Sequence, residues 1–132
     1  MNSIIAKTLA YFIGGLAAFF LPILWSLIVV AIFVGVDTIT GVMAAGKVDV
    51  KNITSKKMFS LVPKITFYLL LVITAHACSY VDSQIPFVKL ALIGIGAIEI
   101  KSIDENFEKL YGYSFVNKIL SALKALSKIN RS

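Results

Sequence analysis

The sequence has 132 residues, which is room for one compact unit. Hydrophobic residues make up 58% of it and charged residues only 15%, whereas soluble domains are closer to half apolar and a quarter charged. Because a soluble fold of this size would leave large apolar patches in water, the composition excludes an ordinary soluble domain. It predicts an all-α integral membrane protein with three or four hydrophobic helices.

The formal net charge is +6, from thirteen Lys and Arg against seven Asp and Glu. The cations gather between apolar runs and at the C-terminus, as expected of cytoplasmic segments that face anionic headgroups. A nucleic-acid-binding protein would instead carry its charge as a patch on a water-soluble surface. We therefore expect membrane lipid as a partner and no nucleic acid.

The first apolar run lies between Lys7 and Asp37 and contains 29 uncharged residues. As one helix it would measure about 43 Å, which exceeds a bilayer core of about 30 Å. Pro22 interrupts the run, since proline lacks the helical N–H donor. The pattern predicts one helix over 4–20, which crosses the membrane, re-enters it or lies along its surface, and a second helix over 23–45.

The rest of the chain divides into a basic loop (46–57), a third helix (58–81), a fourth helix (87–110) and a basic C-terminal segment (113–132). The last segment contains an amphipathic helix over 114–130, which suits either an anionic membrane surface or a partner helix. The basic residues predicted to face the membrane surface are Lys47, Lys51, Lys56, Lys57, Lys118, Lys124 and Lys128.

The two basic segments predict the topology, because positively charged loops remain on the cytoplasmic side. With the loop and the C-terminus both cytoplasmic, the third and fourth helices form a hairpin and the second runs inward. If the first helix also spans, the chain crosses four times with both ends inside. This arrangement is preferred over three spans with the N-terminus outside.

Asp37 is the first ionisable residue within an apolar helix, and Thr40 and Gly41 lie on the same helical face. A charged group at membrane depth is costly and is expected to face a partner helix or water. Gly41 and Ala45 form a small-xxx-small pair that allows close helix approach. The alternative is an aspartate at headgroup level that ends the apolar stretch.

His76 lies in the middle of the third helix. It is either a neutral histidine hydrogen-bonded to a neighbouring helix or a polar, pH-responsive lining group. Glu99, Ser102 and Asn106 share one face of the fourth helix, either as a solvated helix end or towards a polar interior formed between subunits.

Catalytic chemistry is not expected from this set of residues. With one histidine and one cysteine, a zinc site of such ligands within one chain is excluded. The sequence shows no useful Ser/His/Asp spacing, no phosphate-binding glycine loop and no metal-ligand cluster. We expect no enzyme activity, no cofactor and no metal.

Several features occur in an informative order: Asp37-x-x-Thr40-Gly41, the loop residues Thr54–Lys57, a helix that starts near Pro63–Lys64 and contains His76, and then Glu99-x-x-Ser102-Ile103-x-Glu105-Asn106. From about Trp25 to Leu126 the chain resembles the phage lysis holin family, which includes toxin-secretion holins. It departs from the family in lacking an aspartate directly after His76, since the nearest one is Asp82.

The resemblance implies a multi-pass protein of the bacterial cytoplasmic membrane that oligomerises and permeabilises it, so that an endolysin or a toxin can leave. Asp37, Thr40, His76 and Glu99 would then line the opening or pack helices. An antiholin that regulates such a protein has the same sequence features, and a small membrane channel is a further alternative.

Overall fold

The computed structural model describes residues 2–48 and 61–129, and within these ranges every regular element is helical. The elements are α1 (Asn2–Phe20), a 3-10 turn (Leu21–Ile23), α2 (Leu24–Val48), α3 (Leu61–Ser79), α4 (Phe87–Tyr111) and α5 (Phe115–Ile129). The all-helical class is therefore confirmed. Most of the predicted basic loop, with Lys51, Lys56 and Lys57, lies outside the described residues, as does the predicted start of the third helix.

Helix ends follow local chemistry. Pro22 lies within the 3-10 turn that separates α1 from α2, where the sequence predicted a break. The third helix was predicted to reach residue 81 but ends at Ser79. Its last turn tightens, because the amides of Tyr80 and Val81 donate to carbonyls three residues back, at 3.1 and 2.9 Å.

The α2 helix continues to Val48, three residues beyond the predicted end. Lys47 Nζ donates a hydrogen bond to the carbonyl of Leu110, in the last turn of α4. Carbonyls in a last turn have no partner within their own helix, so a lysine is a favourable donor there. This contact joins the C-terminal ends of α2 and α4.

The α2, α3 and α4 helices pack as a bundle, and α2 and α4 run parallel. Near the middle of α2, the ring of Phe33 approaches Gly96, where an added Cβ would lie 3.5 Å away. Further along both helices, Lys47 meets Leu110. Since the contacting residue numbers rise together, the two helices point the same way.

The α3 helix runs antiparallel to them, because its first turn lies beside Asp37 while its last turn lies near the start of α2. Lys64 contacts Asp37, whereas His76 contacts Phe19, which lies two residues before the 3-10 turn. The predicted directions of these three helices relative to one another are thus observed. The apolar core between them consists of Ile23, Val30, Val34, Tyr68, Val72 and Ile95.

The α1 helix has few contacts with this bundle. Residues 3–18 are all exposed, and Phe19 packs edge-on against His76 with 4.9 Å between ring centroids. Two helical segments are long and apolar enough to cross a membrane, Ser3–Lys47, which includes α1 and α2, and Leu61–Ser79. The number of spans stays a prediction.

Candidate functional site

Charged side chains from all three bundle helices meet at Lys64, in the first turn of α3. Its Nζ lies 2.6 Å from Asp37 Oδ2 on α2 and 2.7 Å from Glu99 Oε2 on α4. The side chains of Lys64, Asp37 and Glu99 are 24%, 11% and 0% exposed. One ammonium group therefore connects two carboxylates within the interior of the bundle.

Tyr68 follows Lys64 by one helical turn and faces the same way. Its hydroxyl donates to Glu99 Oε1 at 2.5 Å, while its ring belongs to the apolar core. Both carboxylate oxygens of Glu99 consequently accept a hydrogen bond from α3. Burial of a carboxylate is tolerable when it is paired in this way.

Asn106 of α4 donates a hydrogen bond to the other carboxylate, that of Asp37. Its Nδ2 donates to Asp37 Oδ1 at 3.1 Å and lies 3.4 Å from Thr40 Oγ1. Gly41 packs beside this amide, since a Cβ added there would lie in van der Waals contact with Asn106 Nδ2, at 3.4 Å. We call Asp37, Thr40, Lys64, Tyr68, Glu99 and Asn106 the polar cluster.

The polar cluster contains two carboxylates and one ammonium group, so with all three ionised it has an excess of one negative charge. Each of the four carboxylate oxygens accepts a hydrogen bond from Lys64, Tyr68 or Asn106. Throughout 2–48 and 61–129, wherever side chains are described, no buried side-chain nitrogen or oxygen lacks a partner. In the part of the chain that the structure describes, the bundle therefore satisfies its buried side-chain polar groups internally, as a structure embedded in lipid must.

A family model described as the bacteriophage holin family matches residues 7–128. The chain belongs to the bacteriophage holin family. No curated protein and no solved structure matches it. The resemblance inferred from the motifs is thereby confirmed, and together with the apolar helices it identifies a membrane protein of the holin class.

In this holin-family protein, four of the polar residues singled out in the sequence come together in the polar cluster: Asp37, Thr40, Glu99 and Asn106. Gly41 packs directly beside them. The sequence left open whether Glu99 faces solvent or a space between subunits. In the structure it is enclosed within its own subunit.

His76 and Ser102 lie apart from the polar cluster. His76 is buried between aromatic rings, and Tyr80 Oη lies 3.4 Å from its Nε2. It is eight residues after Tyr68, or about 12 Å along the helix axis. Ser102 is half-buried, and no hydrogen bond links its described side chain to the polar cluster.

Of the basic residues predicted at the membrane surface, Lys47 binds the Leu110 carbonyl. Lys118 lies over the ring of Tyr113, 3.6 Å from its centroid, and Lys124 is exposed. The side chain of Lys128 lies outside the described residues. Their contact with lipid stays a prediction.

Lys64 and Tyr68 were not recognised as site residues from the sequence. In the sequence Lys64 lies in the first part of the predicted third helix, where cations precede it and 17 uncharged residues follow it. A signal was available, since two acids within apolar helices require a cation or donor at a similar depth. Lys64 is the cation closest to the apolar part of α3, and Tyr68 lies one turn further in.

Proposed function

We propose that this protein is a holin that oligomerises in the cytoplasmic membrane of a bacterial host and permeabilises it, so that an endolysin or a toxin is released. The family match over residues 7–128 is the observation that carries the proposal. The proposal includes several membrane crossings and a cytoplasmic C-terminus, which the positions of the lysines support.

The polar cluster suggests how a closed subunit differs from an open one. In the closed bundle, Lys64 pairs with Asp37 and Glu99, and the latter has no exposed side-chain surface. These buried charges are stabilised by ion pairing with one another instead of by hydration. Removing water from them costs several kcal/mol of free energy per ion. A state in which the same side chains face a water-filled opening regains that hydration.

Opening therefore requires α3 to separate from α2 and α4, which breaks both ion pairs at Lys64. The loss is offset by hydration of the separated charges and by new helix contacts between subunits. One subunit can form only part of the wall of a water-filled opening, with its polar side chains towards the water and its apolar side chains towards lipid. Separation of the bundle helices therefore favours assembly of several subunits around the opening. We infer that Asp37, Thr40 and Glu99 face the opening after the bundle separates.

The first test is to induce the chain alone in a bacterium and to follow entry of a membrane-impermeant dye, cell viability and release of a co-expressed muralytic enzyme. A sudden loss of integrity after a period of accumulation supports the proposal. Lasting integrity would indicate an antiholin. Liposomes that pass small ions but retain large solutes would indicate a selective channel.

The second test compares Glu99→Gln and Asp37→Asn with Glu105→Gln, at equal amounts of protein in the membrane. Glu105 is a matched control, since it lies on the same helix and its side chain is 58% exposed. We expect both cluster variants to change the onset time of dye entry and the control to leave it unchanged. Unchanged timing in both cluster variants would exclude a role for these charges in opening.

A further inference from the structure

We propose that α5 lies on an anionic lipid surface, with its apolar face in the lipid and its lysines towards the headgroups. This inference concerns the C-terminal helix and does not depend on whether the protein permeabilises membranes. It follows from three properties of α5: a fixed attachment at one end, an exposed apolar face and an exclusively positive charge.

The attachment is a set of hydrogen bonds around Asp104, near the end of α4. Ser114 Oγ donates to Asp104 Oδ2 at 2.7 Å, and the backbone amide of Phe115 donates to Oδ1 at 2.8 Å. Ser114 Oγ also accepts from the amide of Asn117 at 3.0 Å, which is an N-cap contact. Gly112, with a φ of 79°, allows the chain to turn between α4 and α5. The start of α5 is thus fixed to the bundle.

Beyond this attachment α5 presents an apolar face that the described chain leaves uncovered. The side chains on this face are large and about half or more exposed: Ile119 (55%), Leu120 (48%), Leu123 (56%) and Leu126 (62%). They recur at helical spacing, while Asn117, Ser121 and Lys124 occupy the opposite face. Because these four large hydrophobic side chains share one face of α5, that face requires an apolar environment while the opposite face does not.

The charge of α5 selects the kind of surface. Residues 114–132 contain Lys118, Lys124, Lys128 and Arg131 and no acidic residue. A second copy of α5 would bring the same positive charges together, whereas an anionic bilayer is complementary to them. Each cation near such a surface favours binding by roughly fivefold. A helix with one apolar and one basic face also matches the sequence pattern of helices that lie in the interface plane.

The location within the bundle agrees with this assignment. The α5 helix begins just after α4 ends, where Lys47 of α2 contacts Leu110. Lys109 is exposed at the same end. Glu105 and Glu108 are exposed there as well, so this end carries charges of both signs. A helix that leaves the bundle where α2 and α4 end reaches the headgroup layer without crossing the bilayer core.

The experiment uses the full chain with Cys78→Ser, so that a single introduced cysteine can be labelled with an environment-sensitive fluorophore. Leu123→Cys reports on the apolar face and Lys124→Cys on the polar face one residue away. The labelled proteins are reconstituted in vesicles of phosphatidylcholine alone or with added phosphatidylglycerol. We expect blue-shifted emission only for the label at 123, with a larger shift in the anionic vesicles.

A triple variant tests the charge: Lys118→Glu, Lys124→Glu and Lys128→Glu, with the label at 123. In this variant α5 should bind the anionic surface at least roughly 100-fold more weakly, and the blue shift should disappear. Lys89→Glu, an exposed site near the opposite end of α4, is the control and should leave the shift intact. Equal emission from both label positions in anionic vesicles would overturn the proposal. It would also be overturned by a shift that disappears when the protein is diluted with lipid, because that result indicates packing against a second copy.

Discussion

The two ends of the three-helix bundle are held together in different ways. At the end nearer α1, residues such as Ile23, Val72 and Ile95 pack without polar contacts. Beside the first turns of α3, at the middle of α2 and α4, the polar cluster joins the helices through two ion pairs at Lys64. Lipid tails are as apolar as these side chains, so apolar packing in a membrane distinguishes weakly between helix arrangements. The polar cluster therefore fixes which helices pair and in what register.

Replacing Lys64 is expected to have the largest effect. Lys64→Met removes the cation from between two buried carboxylates, which should lower the free energy of unfolding by about 3–5 kcal/mol. Thermal unfolding in detergent, followed through the fluorescence of Trp25, measures this loss. Lys101→Met is the control, because that side chain is 80% exposed and its distance to Glu105 is 3.9 Å. Equal stability of the two variants would show that the polar cluster does not hold the bundle.

An intermediate effect is expected at Tyr68, which belongs to both regions. Tyr68→Phe keeps the ring in the apolar core and removes only the hydroxyl that donates to Glu99. A hydrogen bond to a charged group contributes about 1.5–3 kcal/mol, so the unfolding midpoint in detergent should fall by less than in Lys64→Met. Combining Tyr68→Phe with Glu99→Gln should cost less than the sum of the two changes. Strict additivity in this double-mutant cycle would contradict a direct interaction.

The smallest effect is expected in the apolar region. Ile95→Val removes one methylene group from a residue that is 1% exposed. In water such a change costs about 0.5–1.5 kcal/mol, and in lipid we expect the lower end, because the transfer term from water is absent. The same unfolding assay measures it. A loss as large as that of Lys64→Met would indicate that packing, rather than the polar cluster, determines the fold.

Much of the fold could be predicted from the sequence because each prediction rested on local chemistry. Pro22 placed the break between α1 and α2, and the charge pattern separated the remaining helices. The relative directions of α2, α3 and α4 followed from the distribution of lysines, and the structure has the same arrangement. Helix ends were less accurate: α2 continues to Val48, and near this end Lys47 contacts Leu110, a residue distant in sequence.

For the candidate site, the sequence alone determined which residues were out of place in lipid: Asp37, Thr40, Glu99 and Asn106 stand out within apolar helices. Only the tertiary structure decided where they lie and what neutralises them. Periodicity identifies the face of a single helix but contains no information about the register between helices. That register brings Lys64 and Tyr68 of α3 to Glu99 of α4, and it encloses Glu99 within the bundle.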